Sequence, residues 1–331
     1  MGASLATSDP AQRMRVRETP PQLSVVTSVF RSEAFLPAFI TEMSQAIASA
    51  GITSYEIIFV NDGSPDGSRE LLLQACNESR AVKLVDLSRN FGHHKAVVAG
   101  LAYSRGDLVF LIDCDLEVRP AALGQFLKTM RENHPDVVYG VQDKRKGPAI
   151  ERVGGALFWR LFNRLSQTAV PPDVLTERLM TRRYVDALLS LGDRNVFLGG
   201  MMYWAGFRQM GITISKDQRA GRSTYSLGKR LSLLVEAVTS FSTVPLKLVL
   251  LTGLCITALA LLGVVVLVAR KLLDPAAILS GYTSLMLAVV GMGGLVLTTV
   301  GVLGLYVSRI FIQTQNRPLY IVRDFHQHPH D

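Results

Sequence analysis

Two carboxylates, Asp113 and Asp115, follow directly after the apolar run at positions 108–112. Negative charges this close together repel each other unless a cation lies between them. One carboxylate suffices to cap a helix, so capping accounts for only one of the two. A hard divalent cation such as Mg²⁺ or Mn²⁺, which also binds phosphate oxygens of a substrate, accounts for both. We therefore expect Asp113 and Asp115 to be metal ligands, with helix capping as the alternative.

Polar residues also follow the two preceding apolar runs. Ser32 and Glu33 come after the first run, and Asp62 lies in the segment Asn61-Asp62-Gly63-Ser64 after the second. In open α/β sheets, ligands bind outside the carboxyl ends of the strands. We therefore expect these residues to bind substrate, with a nucleotide contact for Asp62, although the same segment has the composition of a plain turn. No Walker-type loop or G-x-G-x-x-G motif follows a strand, which argues against ATPase and dinucleotide-binding functions.

The elements that position these residues follow from the hydrophobic pattern. Short apolar runs alternate with amphipathic stretches from residue 23 onward. Continuously apolar strands separated by helices are typical of a mostly parallel sheet with helices on both faces, which predicts an α/β fold. The predicted strands cover 23–30, 55–62, 81–88, 107–115 and 136–142, and the predicted helices include 37–50 and 68–79.

Composition limits the class of protein further. The 331-residue chain carries a net charge of +8, which favours an anionic partner: a phosphate-bearing substrate, a nucleic acid or a membrane surface. Aromatic residues are not interleaved with the basic ones as a stacking platform, which disfavours nucleic acid. Cys76, Cys114 and Cys255 share no close spacing, so we expect neither a disulfide framework nor a zinc site. Residues 1–22 lack an apolar core and are predicted to be a flexible tail, not a secretory signal.

Two uncharged runs, 248–269 and 275–308, predict a pair of transmembrane helices within residues 246–308. Lys and Arg are more frequent before the first run and after the second than in the connecting loop. The positive-inside rule therefore places the large N-terminal part and both termini in the cytoplasm, with the chain in the inner (plasma) membrane. Residues 226–245 are predicted to be juxtamembrane helix at the interface, and 309–331 a cytoplasmic tail.

Two further basic or polar groups admit more than one interpretation. His93 and His94 are adjacent, which makes a poor chelating pair, so a polar loop leading into a helix at 95–102 is expected. Nine basic residues against four acids lie between 142 and 183. They form either a solvated basic face or a surface that captures phosphate or anionic lipid.

From about residue 23 to 320, the chain resembles family 2 glycosyltransferases. It is most similar to the polyprenyl-phosphate glycosyltransferases, such as dolichol-phosphate mannose synthase and bactoprenol glucosyltransferase, which carry two C-terminal spans. Five segments occur in the family's order: SVVTSVFRSEAFL, IIFVNDGSPDGS, LSRNFGHHKAVVAGL, LIDCDLEVRP and RAGRSTYSLGKRLSLLVEAVTSFSTVPLK.

The resemblance implies a Rossmann-like catalytic domain of the GT-A type at 23–225. It implies that Asp62 contacts the nucleotide, that Asp113 and Asp115 hold Mg²⁺ or Mn²⁺ and the diphosphate, and that Arg145 lies against phosphate. It also makes a homo-oligomer plausible. A loop that closes over the donor near the membrane would contain Arg219, Ser223 and Tyr225.

Three departures from the family pattern affect the site. Glu117 stands where the family usually has glutamine, and we include it among the substrate-binding residues. Gln142 replaces an arginine three positions before Arg145. Thr176 occupies the position of an aspartate that is assigned as the base in many members, so Glu177 is the candidate substitute. Arg178, Arg182 and Arg183 are candidates to steer the lipid phosphate, and we group Asp115, Glu177 and Arg178 as catalytic.

These observations predict an inverting transfer of a sugar from a nucleotide-sugar, preferably a UDP-sugar, to polyprenyl (undecaprenyl) phosphate in cell-envelope glycan assembly or modification. A phosphate monoester is largely dianionic at neutral pH, so it needs positioning more than deprotonation. Three alternatives stay open: transfer to a sugar or glycolipid hydroxyl, a catalytically silent membrane scaffold that binds nucleotide-sugar, and a nucleic-acid-binding protein.

Overall fold

The structure, a computed structural model, describes residues 19–142, 171, 174–216, 244–273 and 281–329. The chain divides into two compact units. The described residues up to 216, together with those from 317 onward, belong to the first unit, and the two long C-terminal helices belong to the second.

The first unit is built around one eight-stranded sheet with the order β7-β5-β6-β4-β1-β2-β3-β8. Strands β1, β2, β3 and β4 are mutually parallel neighbours, and β5 and β7 form a second parallel pair. Strand β6 is antiparallel to β4 and β5, and β8 is antiparallel to β3. The strands are β1 Leu23–Val29, β2 Tyr55–Asn61, β3 Val82–Leu87, β4 Leu108–Leu111, β5 Val137–Gln142, β6 Val174–Thr181, β7 Gln209–Ile214 and β8 Val322–His326.

Helices of the first unit connect the strands and bury apolar side chains in the core. In the first helix, Leu36, Phe39, Met43 and Ile47 recur every three or four residues and are fully buried in the core. Burying each such side chain stabilises the fold by roughly 1.5–3 kcal/mol. The helices are α1 Leu36–Ser49, α2 Ser68–Glu78, α3 His93–Tyr103, α4 Leu123–Asn133, α5 Arg182–Ser190 and α6 Leu198–Trp204, with a short 3₁₀ helix at Pro120–Ala122.

The predicted α/β fold class is confirmed, and all five predicted strands are present. Strands β6, β7 and β8 were not predicted. The last of these lies within residues 309–331, for which the sequence analysis predicted a tail. Helix α3 begins at His93, where a loop was expected.

The second unit contains two long helices, α7 Val244–Leu273 and α8 Tyr282–Thr314. Among the described residues, the segment Gly291–Thr314 has the length and hydropathy needed to cross a membrane, and Leu246–Ile256 is a shorter apolar stretch. Two spans therefore stay a prediction. Most of the predicted juxtamembrane segment, 226–243, lies outside the described residues.

Candidate active site

Four carboxylates lie around the carboxyl end of β4, and we call them the acidic cluster: Asp113, Asp115, Glu117 and Glu177. The first three lie in the turn that leaves β4, where Leu116 adopts a positive φ of 59° and the backbone N–H of Glu117 donates to Asp115 Oδ1 (3.1 Å). Glu177 arrives from β6. Because β6 is antiparallel to β4 and Leu111 pairs with Arg178, Glu177 falls just beyond the last pair of this ladder, toward Asp113.

The carboxylates of the acidic cluster repel one another. Burial raises the pKa of Asp113, His93 opposes this shift, and the charge of Asp115 adds to it. Burial, and then the charge of Asp113, raise the pKa of Glu177 to about 7. Glu177 is only 4% exposed, so water screens its carboxylate poorly from those of Asp113 and Asp115.

Two basic side chains approach the acidic cluster. His93 Nε2 lies 3.9 Å from Asp113 Oδ1, while its Nδ1 is 2.8 Å from the Ser28 hydroxyl, which orients the ring. Lys216, just after β7, forms an ion pair with Glu117. The sequence analysis did not identify His93 or Lys216 as site residues. Lys216 reaches the acidic cluster only because β7 pairs with β5, and β7 was not predicted.

The donor set of the acidic cluster fits a hard divalent cation. Four carboxylates, one lysine and one histidine meet here among the described residues. The Asp113 side chain retains 31% of its exposure, so its oxygens are accessible. Carboxylate oxygens are the ligands that Mg²⁺ and Mn²⁺ prefer. The residues present therefore fit the predicted metal, with Asp113 and Asp115 as its candidate ligands.

Asp62 holds the loop between β3 and α3. Its two carboxylate oxygens accept hydrogen bonds from the backbone N–H groups of Phe91 (2.7 Å) and Gly92 (2.9 Å), and the residue is 2% exposed. These N–H groups lie at the start of α3, where the helix dipole favours a negative charge. Burial raises the pKa of Asp62, and these hydrogen bonds oppose the shift. Its observed role is thus to join two strand-end loops, and the nucleotide contact stays a prediction.

Ser32 and Glu33 join the loop after β1 to the turn after β2. The backbone N–H of Ser32 donates to the Ser68 hydroxyl (3.2 Å), and Glu33 Oε2 accepts from the backbone N–H of Gly67 (2.9 Å). Ser32 is buried and Glu33 is exposed. The predicted substrate-binding residues Ser32, Glu33 and Asp62 therefore lie on adjoining loops at the carboxyl ends of β1 and β2, the edge of the sheet that also carries the acidic cluster.

The three candidate arginines of β6 and α5 are not all gathered in this site. Arg178 is 3% exposed, and its guanidinium donates to the carbonyls of Leu175 and Thr176 (both 3.2 Å). Arg182 and Arg183 follow Thr181, which pairs with Leu108 at the opposite end of β4 from Asp113.

At that end, Arg182 donates to the Gly106 carbonyl (3.1 Å) and the Ser104 hydroxyl (2.8 Å), and Arg183 pairs with buried Asp136. The structure therefore does not bring Arg182 and Arg183 to the acidic cluster. The physical reason is the antiparallel direction of β6, which the sequence pattern did not reveal. Four other predicted site residues, Arg145, Arg219, Ser223 and Tyr225, lie outside the described residues.

The mostly parallel sheet, with carboxylates at the carboxyl end of a central strand, has the architecture of the GT-A fold. The family model for glycosyl transferase family 2 matches residues 24–188. An uncharacterized glycosyltransferase of Bacillus subtilis, YkcC, is 34% identical over 304 residues, which cover 91% of this chain and 93% of that protein. The chain belongs to glycosyl transferase family 2, which confirms the predicted family.

Other similar proteins have more specific names. The bactoprenol glucosyl transferase of Shigella phage SfII is 29% identical over 309 residues, which cover 92% of this chain and 99% of that protein. Among solved structures, glucosyl-3-phosphoglycerate synthase from Mycobacterium tuberculosis with Mn²⁺, UDP and glucosyl-3-phosphoglycerate is 17% identical, with a TM-score of 0.47. The matched region covers 66% of this chain and 79% of the synthase chain.

Proposed function

We propose that this family 2 glycosyltransferase moves a sugar from a nucleotide-sugar to polyprenyl (undecaprenyl) phosphate at the inner (plasma) membrane. We propose a UDP-sugar as the donor. The observation that carries the proposal is the acidic cluster at the carboxyl end of β4. The near full-length similarity to a bactoprenol glucosyl transferase supports a polyprenyl-phosphate acceptor.

The proposed reaction is a single inverting displacement. A phosphate oxygen of the lipid forms a bond to the anomeric carbon while the bond from that carbon to the nucleoside diphosphate breaks. The electron pair of the broken bond leaves with the diphosphate. The second pKa of a phosphate monoester is near 6, so the nucleophile is already largely dianionic at neutral pH. Alignment of the two reactants is therefore the main requirement on the protein.

The chain's own residues divide this task between them. Asp113 and Asp115 would hold a divalent cation, which supplies positive charge to the departing diphosphate when bound. His93 restrains Asp113 from one side, and Lys216 neutralises Glu117 on the other. Glu177 lies in the same cluster and is the candidate to accept a proton if the acceptor carries one.

The position of β8 supports two membrane crossings. Strand β8, which follows α8 in the chain, pairs with β3 in the catalytic sheet. Residues before α7 and after α8 must then lie on the same side of any membrane that the chain crosses. Two crossings satisfy this condition and one does not. We propose that α7 and α8 form a hairpin, with the sheet and both termini in the cytoplasm.

The first experiment measures transfer of radiolabelled sugar from UDP-sugars to polyprenyl phosphate by the full-length protein in membranes. Asp115→Asn should lower transfer at least about 100-fold, because even outer-shell partners of a metal ligand contribute about 10- to 100-fold. Asp107→Asn is the matched control, since Asp107 is an exposed carboxylate at the amino end of β4, away from the site. Near-normal transfer by Asp115→Asn would overturn the metal assignment, and transfer only to hydroxyl acceptors would overturn the lipid-phosphate acceptor.

A further inference from the structure

Strand β8 is fixed to the sheet by contacts from several elements. Its register with β3 pairs Leu84 with His326 and Asp86 with Asp324, and the backbone N–H of Ser88 donates to the Ile321 carbonyl (2.9 Å). The ring of Phe325 stacks on Tyr103 of α3, with ring centroids 5.3 Å apart. The strand is therefore an integral part of the sheet at the edge next to the Asp62 turn.

One side chain of β8 connects this edge to the turn after β2. Arg323 donates to Asp86 Oδ2, and Asp86 is fully buried near the carboxyl end of β3. The other oxygen, Asp86 Oδ1, accepts from Asn61 Nδ2 (2.8 Å). Asn61 Oδ1 in turn accepts from the backbone N–H of Ser64 (3.1 Å). A continuous series of hydrogen bonds thus runs from β8 to the turn that contains Asp62.

The charges around Asp86 favour this structural arrangement over a metal site. Asp86, Asp324 and His326 have potential ligand atoms within 4.8 Å of one another. However, Asp86 also accepts from Arg69 Nε (2.7 Å), so two guanidinium groups already share its carboxylate. Burial alone would raise the pKa of Asp86, but the hydrogen bonds from Arg69 and Arg323 outweigh burial and lower it. The carboxylate is therefore ionised and neutralised by arginine.

We propose that Arg323 is a positioning residue for the donor side of the site, acting through Asp86 and Asn61 on the turn at 61–64. The same turn reaches the loop at 88–92 through Asp62, whose carboxylate holds the N–H groups of Phe91 and Gly92. The binding consequence rests on the proposed function, in which this edge binds the nucleotide-sugar. A residue that follows both long helices in the chain would then set the geometry of loops formed by residues more than 200 positions earlier.

The first test needs no substrate. Hydrogen–deuterium exchange of the full-length protein in detergent would compare wild type, Arg323→Gln and Arg317→Gln. Arg317 is an exposed arginine of the same C-terminal segment and serves as the control. We expect faster exchange in Arg323→Gln at Ser64, Phe91 and Gly92, with Arg317→Gln unchanged. Faster exchange confined to the β3 and β8 strands would show a purely structural role and would overturn the inference.

The second test measures binding of UDP in the presence of manganese chloride by calorimetry. Arg323→Gln should weaken UDP binding about 3- to 10-fold, the scale of coupling through connected side chains. Arg323→Lys retains the positive charge, should recover most of the affinity, and provides a folded variant if Arg323→Gln is unstable. Unchanged UDP affinity in both variants would refute the positioning role. Failure of the wild type to bind UDP would instead contradict the proposed UDP-sugar donor, and the exchange experiment would then decide the inference alone.

Discussion

At the scale of single residues, the loops that would receive a nucleotide are held by carboxylates that bond to backbone N–H groups. Asp62 joins the turn after β2 to the loop after β3, and Glu33 joins the loop after β1 to the start of α2. Carboxylates that accept backbone hydrogen bonds in this way, Asp62 buried and Glu33 exposed, fix loop geometry before a ligand arrives, which lowers the entropy cost of binding. Asp62 and Glu33 therefore hold the loops at the strand ends in place.

Gly63 is the residue that permits the close approach of these two loops. Its φ is +64°, and an added Cβ would lie 2.6 Å from Asn90 N and 2.7 Å from the carbonyl carbon of Arg89, both backbone atoms. Gly63→Ala should therefore displace the 88–92 loop, lower the apparent Tm and weaken UDP binding. Gly51→Ala is the matched control because Gly51 has a similar φ of +72° with nothing within 4 Å of the added carbon.

Gly51→Ala should lower the free energy of unfolding by only about 1–2 kcal/mol, because an alanine is disfavoured in the left-handed conformation. It should leave UDP binding unchanged. Thermal unfolding and UDP calorimetry of the two variants measure these quantities side by side. If Gly63→Ala behaved like Gly51→Ala in both measurements, the loop contact would have no role in binding.

The candidate site was predictable where a residue's function depends on its position after an apolar strand. Asp113, Asp115 and Asp62 were proposed in this way, and the structure brings their loops to one edge of the sheet, while their roles stay predictions. Glu177 was proposed through the family resemblance, and its placement depends on β6. Arg182 and Arg183 lie at the opposite end of β4 from the acidic cluster. They directly follow β6, so the antiparallel direction of β6 decides at which end of the sheet they lie, and the sequence pattern did not reveal that direction.

At the scale of elements, two of the three missed strands, β6 and β8, share a physical reason. Strand β6, VLTERLMT, is interrupted by Glu177 and Arg178, so its apolar pattern is broken where it passes the site. Strand β8, VRDFH, places two of its five residues, Arg323 and Asp324, in an ion-pair group at the sheet edge. Hydrophobic periodicity identifies strands by burial of apolar side chains, and these two strands are held partly by polar contacts instead.

The amino ends of the strands are joined by a buried polar group around Glu56, which is 2% exposed. Glu56 on β2 accepts from Lys83 Nζ on β3 (2.9 Å), from the Ser24 hydroxyl on β1 (2.6 Å) and from the backbone N–H of Arg105 (2.8 Å). Burial alone would raise the pKa of Glu56, but Lys83 and the hydrogen bonds outweigh it, so the pKa is lowered.

This group predicts a specific dependence of stability on pH. Because the pKa of Glu56 is lower in the folded state, its stabilisation is complete above the unfolded value of about 4.3 and is lost as the pH falls through the folded value. At neutral pH, Glu56→Gln should lower the free energy of unfolding by about 3–5 kcal/mol, because Lys83 is left as a buried unpaired charge. The difference from wild type should shrink as the pH falls below about 4.

Thermal unfolding across a pH series would measure this effect, with the double variant Glu56→Gln/Lys83→Met as the control. Removing both charges should restore much of the stability at neutral pH, because a buried ion pair can be replaced by apolar groups at little cost. A single variant as stable as wild type at neutral pH would show that the group contributes nothing.

At the scale of the whole molecule, the sheet limits how the chain can cross a membrane. Strands β1 to β7 precede α7, and β8 follows α8, yet all eight belong to one sheet. The positive charges in the sequence predicted that both ends of the helical segment lie on one side of the membrane, in the cytoplasm. The two uncharged runs predicted two spans, and the pairing of β8 with β3 is compatible with an even number of crossings.

This constraint predicts which positions an impermeant reagent can reach. Cysteines would be placed one at a time at Ala276, in the segment between α7 and α8, and at Gln327, just after β8, in a Cys255→Ser background. Cys255 is replaced because it is exposed in the structure, whereas Cys76 and Cys114 are buried. In intact bacterial spheroplasts, a membrane-impermeant maleimide should label Ala276→Cys, because the proposed hairpin would bring that segment to the outer surface.

Gln327→Cys should be labelled only after the membrane is permeabilised, since β8 must remain on the side of β3. Labelling of Gln327→Cys in intact spheroplasts would mean that the C-terminal segment lies outside and cannot complete the cytoplasmic sheet. Absence of labelling at Ala276 before permeabilisation, with efficient labelling afterwards, would mean that the helices do not cross. Because pairing of β8 with β3 allows only an even number of crossings, these two positions together distinguish a hairpin from a single span and from a helical pair that stays on one side.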